Sequence, residues 1–247
     1  MADDPLVVVS AHPWSAEPIE DLARRTGRDV HHITTRGDLD LARLEEIGPR
    51  WVFVPHWSWI IPATIHERFE VVIFHMTDLP YGRGGSPLQN LIVRGHERTM
   101  VSAIRCVEEM DAGPVYMKRE LSLHGSAEEI YLRASRIIGQ MMLEIVEEQP
   151  VPQPQQGRAV FFERRHPADS DLSQVTSLKE AYDLIRMLTP RVTHTPTSTL
   201  VHSGCSSGGC RNAATGCTLM CTSPFDIHQR DASGSPDVAR CSVRART

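Results

Sequence analysis

Short runs of β-branched and aliphatic residues alternate with amphipathic stretches through the first half of the chain, and this alternation limits the possible folds more than any other feature. The order is Leu6 to Val9, the stretch Glu17 to Thr26, Asp29 to Ile33, the stretch Leu39 to Ile47, Trp51 to Pro55, and later Val71 to Phe74. Such an order reads as βαβαβ. The runs are nearly all apolar and show no period of two, as expected of parallel strands covered by helices on both faces. The turn after the first run, Ser10-Ala11-His12-Pro13-Trp14, lacks the glycines that let a backbone approach a pyrophosphate. The pattern is therefore Rossmann-like without being a dinucleotide fingerprint.

Further along, Ser86-Pro87-Leu88-Gln89 has the form of a capping box with proline at the first helical position, and the helix it opens stops at Gly95. Met100 to Arg105 and Pro114 to Leu121 read as two strands around the acidic, glycine-containing loop Glu108-Glu109-Met110-Asp111-Ala112-Gly113. Ser126 and Glu129 make a second capping box, and Ile130, Ala134, Ile137, Met141 and Ile145 continue at helical spacing to about Glu148. Pro150, Pro152 and Pro154 stop that helix. The division expected is a catalytic domain over 1–149, a linker and helical extension over 150–188, and a low-order tail over 189–247. The extension carries one more helical pattern, Leu178, Ala181, Tyr182, Ile185 and Leu188.

With 40% hydrophobic and 23% charged residues over 247 positions, the chain can bury a core of ordinary size. A formal charge of −5 gives no strong steering toward nucleic-acid phosphates, and no apolar stretch reaches the roughly 18 to 20 residues that span a bilayer. The acidic start Met1-Ala2-Asp3-Asp4 is unlike a secretory signal, so a cytoplasmic home is expected. Of six cysteines only Cys106 lies in the first 200 residues, which leaves the body without a disulfide framework.

Two residues stand out chemically. His75 follows the run Val71 to Phe74, at the end of a parallel strand, where open α/β sheets place ligands. Asp111 sits in the loop between two later strands, where a carboxylate can orient an imidazole or take a proton. A packed structural histidine and a turn aspartate before Gly113 are the plainer readings of the same two residues. Three ordered blocks tip the balance: His75-Met76-Thr77-Asp78-Leu79-Pro80, then Arg83-Gly84-Gly85-Ser86-Pro87-Leu88-Gln89, then Met110-Asp111-Ala112-Gly113-Pro114-Val115. Together they resemble the formyltransferases that use 10-formyltetrahydrofolate, a family that includes methionyl-tRNA formyltransferase, glycinamide ribonucleotide transformylase and the amino-sugar N-formyltransferases. The resemblance covers roughly Trp51 to Val146.

The resemblance implies an α/β fold with a mostly parallel, helix-flanked sheet, and an enzyme that moves a formyl group from 10-formyltetrahydrofolate to a primary amine. His75 would be the catalytic imidazole and Asp111 its carboxylate partner. Trp57, Trp59, Ile60, Ile61 and Met110 would meet the folate, although the two tryptophans read equally well as core packing. Thr77, Asp78, Arg83 and Gly84 would lie on the substrate side. No metal is implied. The family's asparagine two places before the histidine is Ile73 here, and isoleucine cannot donate the hydrogen bond that an amide gives a developing oxyanion. Thr77 and His56 are the candidates to compensate.

A small amine, on a nucleotide-linked sugar, leads as acceptor, because the segments around Arg164 and Arg186 look more like the amino-sugar enzymes. Methionyl-tRNA is the alternative, disfavoured by the negative charge and the absence of a barrel pattern after the catalytic domain. A non-catalytic folate- or nucleotide-sugar-binding relative is the rival from another class, motivated by Ile73. No membrane partner is expected, and no oligomeric state is legible. Thr189 to Thr247 contains no Lys and no Glu, is crowded with Ser and Thr, and holds the other five cysteines at spacings that match no paired C-x2-C zinc pattern. With only Lys118 and Lys179 as lysines the gene is GC-rich in character, and shifting the frame by one base lets Thr195 to Val201 encode Ala-Tyr-Ile-Asp-Phe-Gly. The tail is accordingly read as out of frame or, as a genuine product, as disordered.

Overall fold

The computed structural model of the protein describes residues 4–188; the expectations for the tail lie outside them. β1 (Leu6–Val9), β2 (Val30–Ile33), β3 (Trp51–Pro55) and β4 (Val71–His75) are parallel, joined by α1 (Ala16–Thr26), α2 (Leu41–Ile47) and the single turn α3 (Ala63–His66). β5 (Tyr81–Gly84) and α4 (Pro87–Val93) follow, then β6 (Arg98–Arg105) and β7 (Val115–Ser122), which extend the sheet with antiparallel pairing to the order β2-β1-β3-β4-β6-β7. The long helix α5 (Ala127–Glu148) covers one face. The four short runs read from the sequence thus become the four parallel strands, and the mixed sheet is mostly parallel, flanked by helices.

Alternate strand residues point to opposite faces, so the central strands feed two cores. Leu6, Val8, Phe53, Val72 and Phe74 join α1, α4 and α5 on one side, while Val7, Val9, Val52, Val54 and Val71 join Leu44 of α2 and Ile65 of α3 on the other. The first core is the larger, because α5 supplies nine of its buried residues. α5 opens with the expected capping box: the Ser126 hydroxyl accepts from the Glu129 N–H, and the Glu129 carboxylate accepts from the Ser126 N–H at 2.8 Å. Each end satisfies one of the amides that a helix start leaves unpaired.

The other proposed capping box does not form. Ser86 stands before α4 at φ 49, with its hydroxyl accepting from the Arg165 N–H at 3.1 Å rather than from the helix. A partner 79 residues away has taken the hydroxyl that the local motif offered.

Residues 150–188 lie against the α/β body. Val115 and Gln153 exchange backbone hydrogen bonds of 2.7 and 2.8 Å, and β8 (Val160–Phe162) pairs in parallel with β5 as a second, two-stranded sheet. α6 (Leu178–Arg186) packs near α4, and Met187 and Phe162 are buried in the larger core. The apolar stripe expected of α6 is turned outward in part: Leu178, Tyr182 and Ile185 are exposed, and Asp183 is buried. Asp183 accepts from Lys179 and Arg186, and Arg186 also donates to the carbonyls of Leu123 and Gly125. These bonds anchor the helix by its polar side and hold the Asp183 carboxyl below the usual carboxylate range against the cost of its burial. Among the described residues no helix is long and apolar enough to cross a membrane.

Candidate active site

β4 delivers His75 to its carboxyl-terminal end, beside the loop after β3, as the α/β topology requires. The carboxylate arrives by a less direct route. β6 runs antiparallel to β4, pairing His75 with Ser102 and Val72 with Arg105, so the segment after β6 leaves the sheet at the start of β4, where the Cys106 N–H donates to the Val71 carbonyl at 2.8 Å. The loop 106–114 then doubles back to bring Asp111 Oδ1 to 3.5 Å from His75 Nδ1. Both side chains are about nine-tenths buried.

The surroundings hold this pair from several sides. His75 Nε2 donates to the Gly82 carbonyl at 2.7 Å, so both ring nitrogens face oxygen acceptors. Asp111 Oδ2 accepts from the Gly84 N–H at 2.8 Å. Gly84 has φ 102, and a Cβ there would stand 2.5 Å from the Phe162 carbonyl oxygen, so β5 can run this close to β8 only without a side chain. At Gly113 a Cβ would stand 1.7 Å from the Arg105 carbonyl oxygen, which is why the returning loop needs glycine two places after the aspartate. Asp111 itself sits at φ 53, a left-handed conformation uncommon outside glycine. Close by, burial first and the Asp111 charge second push the Cys106 thiol up to about 11. It therefore stays neutral and adds no second negative charge to the site.

Among the other residues singled out from the sequence, Arg83 bonds to Glu109 at 2.9 Å and to Gln155, and Asp78 pairs with Lys118 on an exposed position. Thr77 is fully buried and its hydroxyl donates to the Gly82 carbonyl at 3.3 Å, while the Ser102 hydroxyl donates to the Thr77 carbonyl. Ile73 packs against the smaller core, which also receives Trp57 and Ile61. Trp59, Ile60 and Met110 are exposed. Trp57 and Trp59 meet edge to face with ring centroids 4.6 Å apart, and the Trp57 indole N–H is buried without an acceptor among the described residues.

His56, the second candidate to compensate for Ile73, is committed elsewhere. Its Nε2 is 2.9 Å from the Ser135 hydroxyl, and it meets His12, Trp14 and Tyr131 edge to face at centroid distances of 5.4 to 6.4 Å. Burial, reinforced by His12, pushes its imidazole down to about 3, so it is uncharged at neutral pH. Sequence reasoning missed Gln155, whose carboxamide bonds to the Asp111 and Gly113 carbonyls, and Gly82, the acceptor for His75. Gly82 lies between two of the recognised blocks; nothing local marks Gln155. Among the described residues, no group of three or more His, Cys, Asp or Glu side chains is placed to hold a metal ion.

No protein-family model matches the chain. Among curated proteins it is 28% identical over 200 residues to the methionyl-tRNA formyltransferase of Corynebacterium urealyticum, an alignment covering 73% of this chain and 60% of that protein. The chain spans between about half and three-fifths of the length of the first such relatives. Among solved structures, methionyl-tRNA formyltransferase from Clostridium thermocellum is 43% identical, with a TM-score of 0.72 over 74% of this chain and 82% of that one. The formyltransferase PseJ from Anoxybacillus kamchatkensis, solved with UDP-4,6-dideoxy-4-formamido-L-AltNAc and tetrahydrofolate, shares the fold at a TM-score of 0.57 and 16% identity, over 73% of this chain and 97% of that one.

Proposed function

The chain belongs to the formyltransferase family, and from that premise we propose that it transfers a formyl group from 10-formyltetrahydrofolate to a primary amine. The observation that carries this reading is the buried approach of His75 Nδ1 to Asp111 Oδ1 at 3.5 Å, with the carboxylate gripped by the Gly84 N–H. In the reaction the amine nitrogen bonds to the formyl carbon, the bond from that carbon to N10 breaks, and one proton passes in net from the amine to N10. His75 and Asp111 carry that proton. An imidazolium formed on the way has both N–H groups met, one by the Gly82 carbonyl and one by Asp111, so the intermediate charge is not left bare. The exposed Trp59 and Ile60 support a pteridine-binding role for the loop after β3.

Ile73 predicts a slow enzyme. It adds no donor beside the formyl oxygen, and the two polar candidates to replace the missing amide, Thr77 and His56, are bonded to Gly82 and Ser135. Loss of one oxyanion donor typically costs on the order of 100-fold to 1,000-fold in rate. As acceptor we favour a small amine, an amino group on a nucleotide-linked sugar, because the net charge of −5 offers little to a tRNA backbone. Methionyl-tRNA is the second reading, and the 43% identity to the Clostridium thermocellum enzyme favours it specifically.

Single-turnover assays of the purified full chain with 10-formyltetrahydrofolate, run against a panel of amino-sugar nucleotides and charged initiator tRNA, test both. Formylation of one acceptor class and not the other decides between them. Tight folate binding with no transfer to any acceptor would replace the enzyme by the binding protein.

A further inference from the structure

Gln155 lies in the proline-rich stretch between α5 and β8, outside every motif that carries the family resemblance, yet its carboxamide is spent entirely inside the candidate active site. Its Nε2 donates to the carbonyls of Asp111 at 2.7 Å and Gly113 at 2.9 Å, and its Oε1 accepts from Arg83 Nη2 at 2.9 Å and Nε at 3.2 Å. Two N–H groups and two lone pairs are the whole capacity of a carboxamide, so the group works as a fixed four-way joint. The stretch around it is not slack, because Gln153 is locked to Val115 through both backbone groups.

Two features of the loop create a need for such a joint. Asp111 reaches His75 only because the loop 106–114 folds back from the far end of β4, and it does so with a left-handed backbone that a non-glycine residue holds only when its surroundings insist. β5 answers with two adjacent residues. The Gly84 N–H grips the Asp111 carboxylate, and the neighbouring Arg83 guanidinium anchors Gln155, which grips the Asp111 main chain. We infer that Gln155 is a positioning residue for formyl transfer: acting through the Asp111 backbone, it sets the carboxylate against His75. The inference rests on the proposed function only in its kinetic consequence, since the joint itself is geometric.

The test uses the full chain with Gln155→Met, which keeps the shape and removes both polar ends, and Gln155→Glu, which keeps the acceptor for Arg83 and sets oxygen against the two carbonyls. Gln153→Ala is the matched control, its side chain reaching only the Val151 carbonyl on the same stretch. With the acceptor the wild type prefers, both Gln155 variants are expected to lose about 100-fold in kcat, the scale of a displacement of about an ångström, with KM for the formyl donor changed less than about threefold. The acid limb of the kcat profile moves in both and stays in place in Gln153→Ala. A kcat within twofold of wild type with a superimposable profile overturns the inference, as does a raised KM at unchanged kcat. Should Gln155→Met melt below the assay temperature, Gln155→Glu, which retains its anchor, carries the comparison. An inactive wild type would count against the proposed function alone. The imidazole proton–nitrogen spectrum of His75 would then decide: altered in the Gln155 variants and not in Gln153→Ala supports the joint, and an unaltered spectrum overturns it.

Discussion

The two sides of His75 are built on different principles. Behind it the parallel strands and their helices are held by apolar burial: Val7, Val9, Phe53, Val52 and Val72 are almost wholly hidden. In front of it, β5, the loop 106–114 and the stretch after α5 are held by polar contacts between named atoms, among them Gly84 to Asp111, Arg83 to Gln155 and Gln155 to Asp111. Apolar packing is non-directional and its loss is felt as stability. Directed hydrogen bonds set angles and separations, and their loss is felt as rate. One side keeps the protein folded; the other keeps two groups in register.

Substitutions chosen from each side should separate these quantities. Phe53→Ala, in the fully buried centre of the sheet, is expected to cost about 3–5 kcal/mol in urea unfolding while transfer per folded molecule is retained. His75→Ala reverses that outcome, with transfer down about 1,000-fold and the unfolding midpoint nearly unchanged, because Thr77 still donates to the Gly82 carbonyl that the imidazole abandons. A large loss of stability in His75→Ala would break the division.

His56 adds a pH-dependent contribution on the apolar side. Its imidazole is pushed down to about 3 in the folded chain from the ordinary 6.5, so between those values the unfolded chain binds a proton that the folded one refuses. Stability therefore falls as pH drops below about 6.5, by at most about 1.4 kcal/mol per unit. Comparing pH 7 with pH 4.5, His56→Gln should remove on the order of 2 kcal/mol of the wild type's acid sensitivity in unfolding curves; equal pH dependence in the two proteins would contradict the assigned burial. Smallest of all, Ser126→Ala should cost about 1 kcal/mol through the lost cap of α5 and leave transfer untouched, as calorimetry and a single assay would show.

The apolar side was also the more legible one in the sequence. Leu6 to Val9 and Trp51 to Pro55 were bounded correctly because a continuous β-branched run between amphipathic stretches has few other uses. The Ser126 cap was readable for the same reason: all its partners lie within three residues. Ser86 carried an equally good local motif and failed, since its hydroxyl met Arg165. β5 was missed, a glycine-rich Tyr-Gly-Arg-Gly segment whose strand character comes from β8 and not from its own residues. The face of α6 was misjudged, because buried Asp183 is paired by Lys179 and Arg186 and periodicity counts only apolar residues. His75 and Asp111 stood out by their places at a strand end and in a glycine-containing loop, with resemblance strengthening the pair, and Gln155 was invisible, since a side chain that grips main-chain carbonyls 42 and 44 residues back leaves no trace in spacing.

That long reach has an implication for how the molecule is made. As the chain leaves the ribosome the imidazole emerges first and the carboxylate 36 positions later, but the amide that fastens the carboxylate's peptide, and Phe162 over which Gly84 closes, come only after α5 is complete. A nascent or clipped chain ending near residue 149 would own both side chains and lack the fastening, so on the proposed function competence would wait for a segment outside the motif blocks.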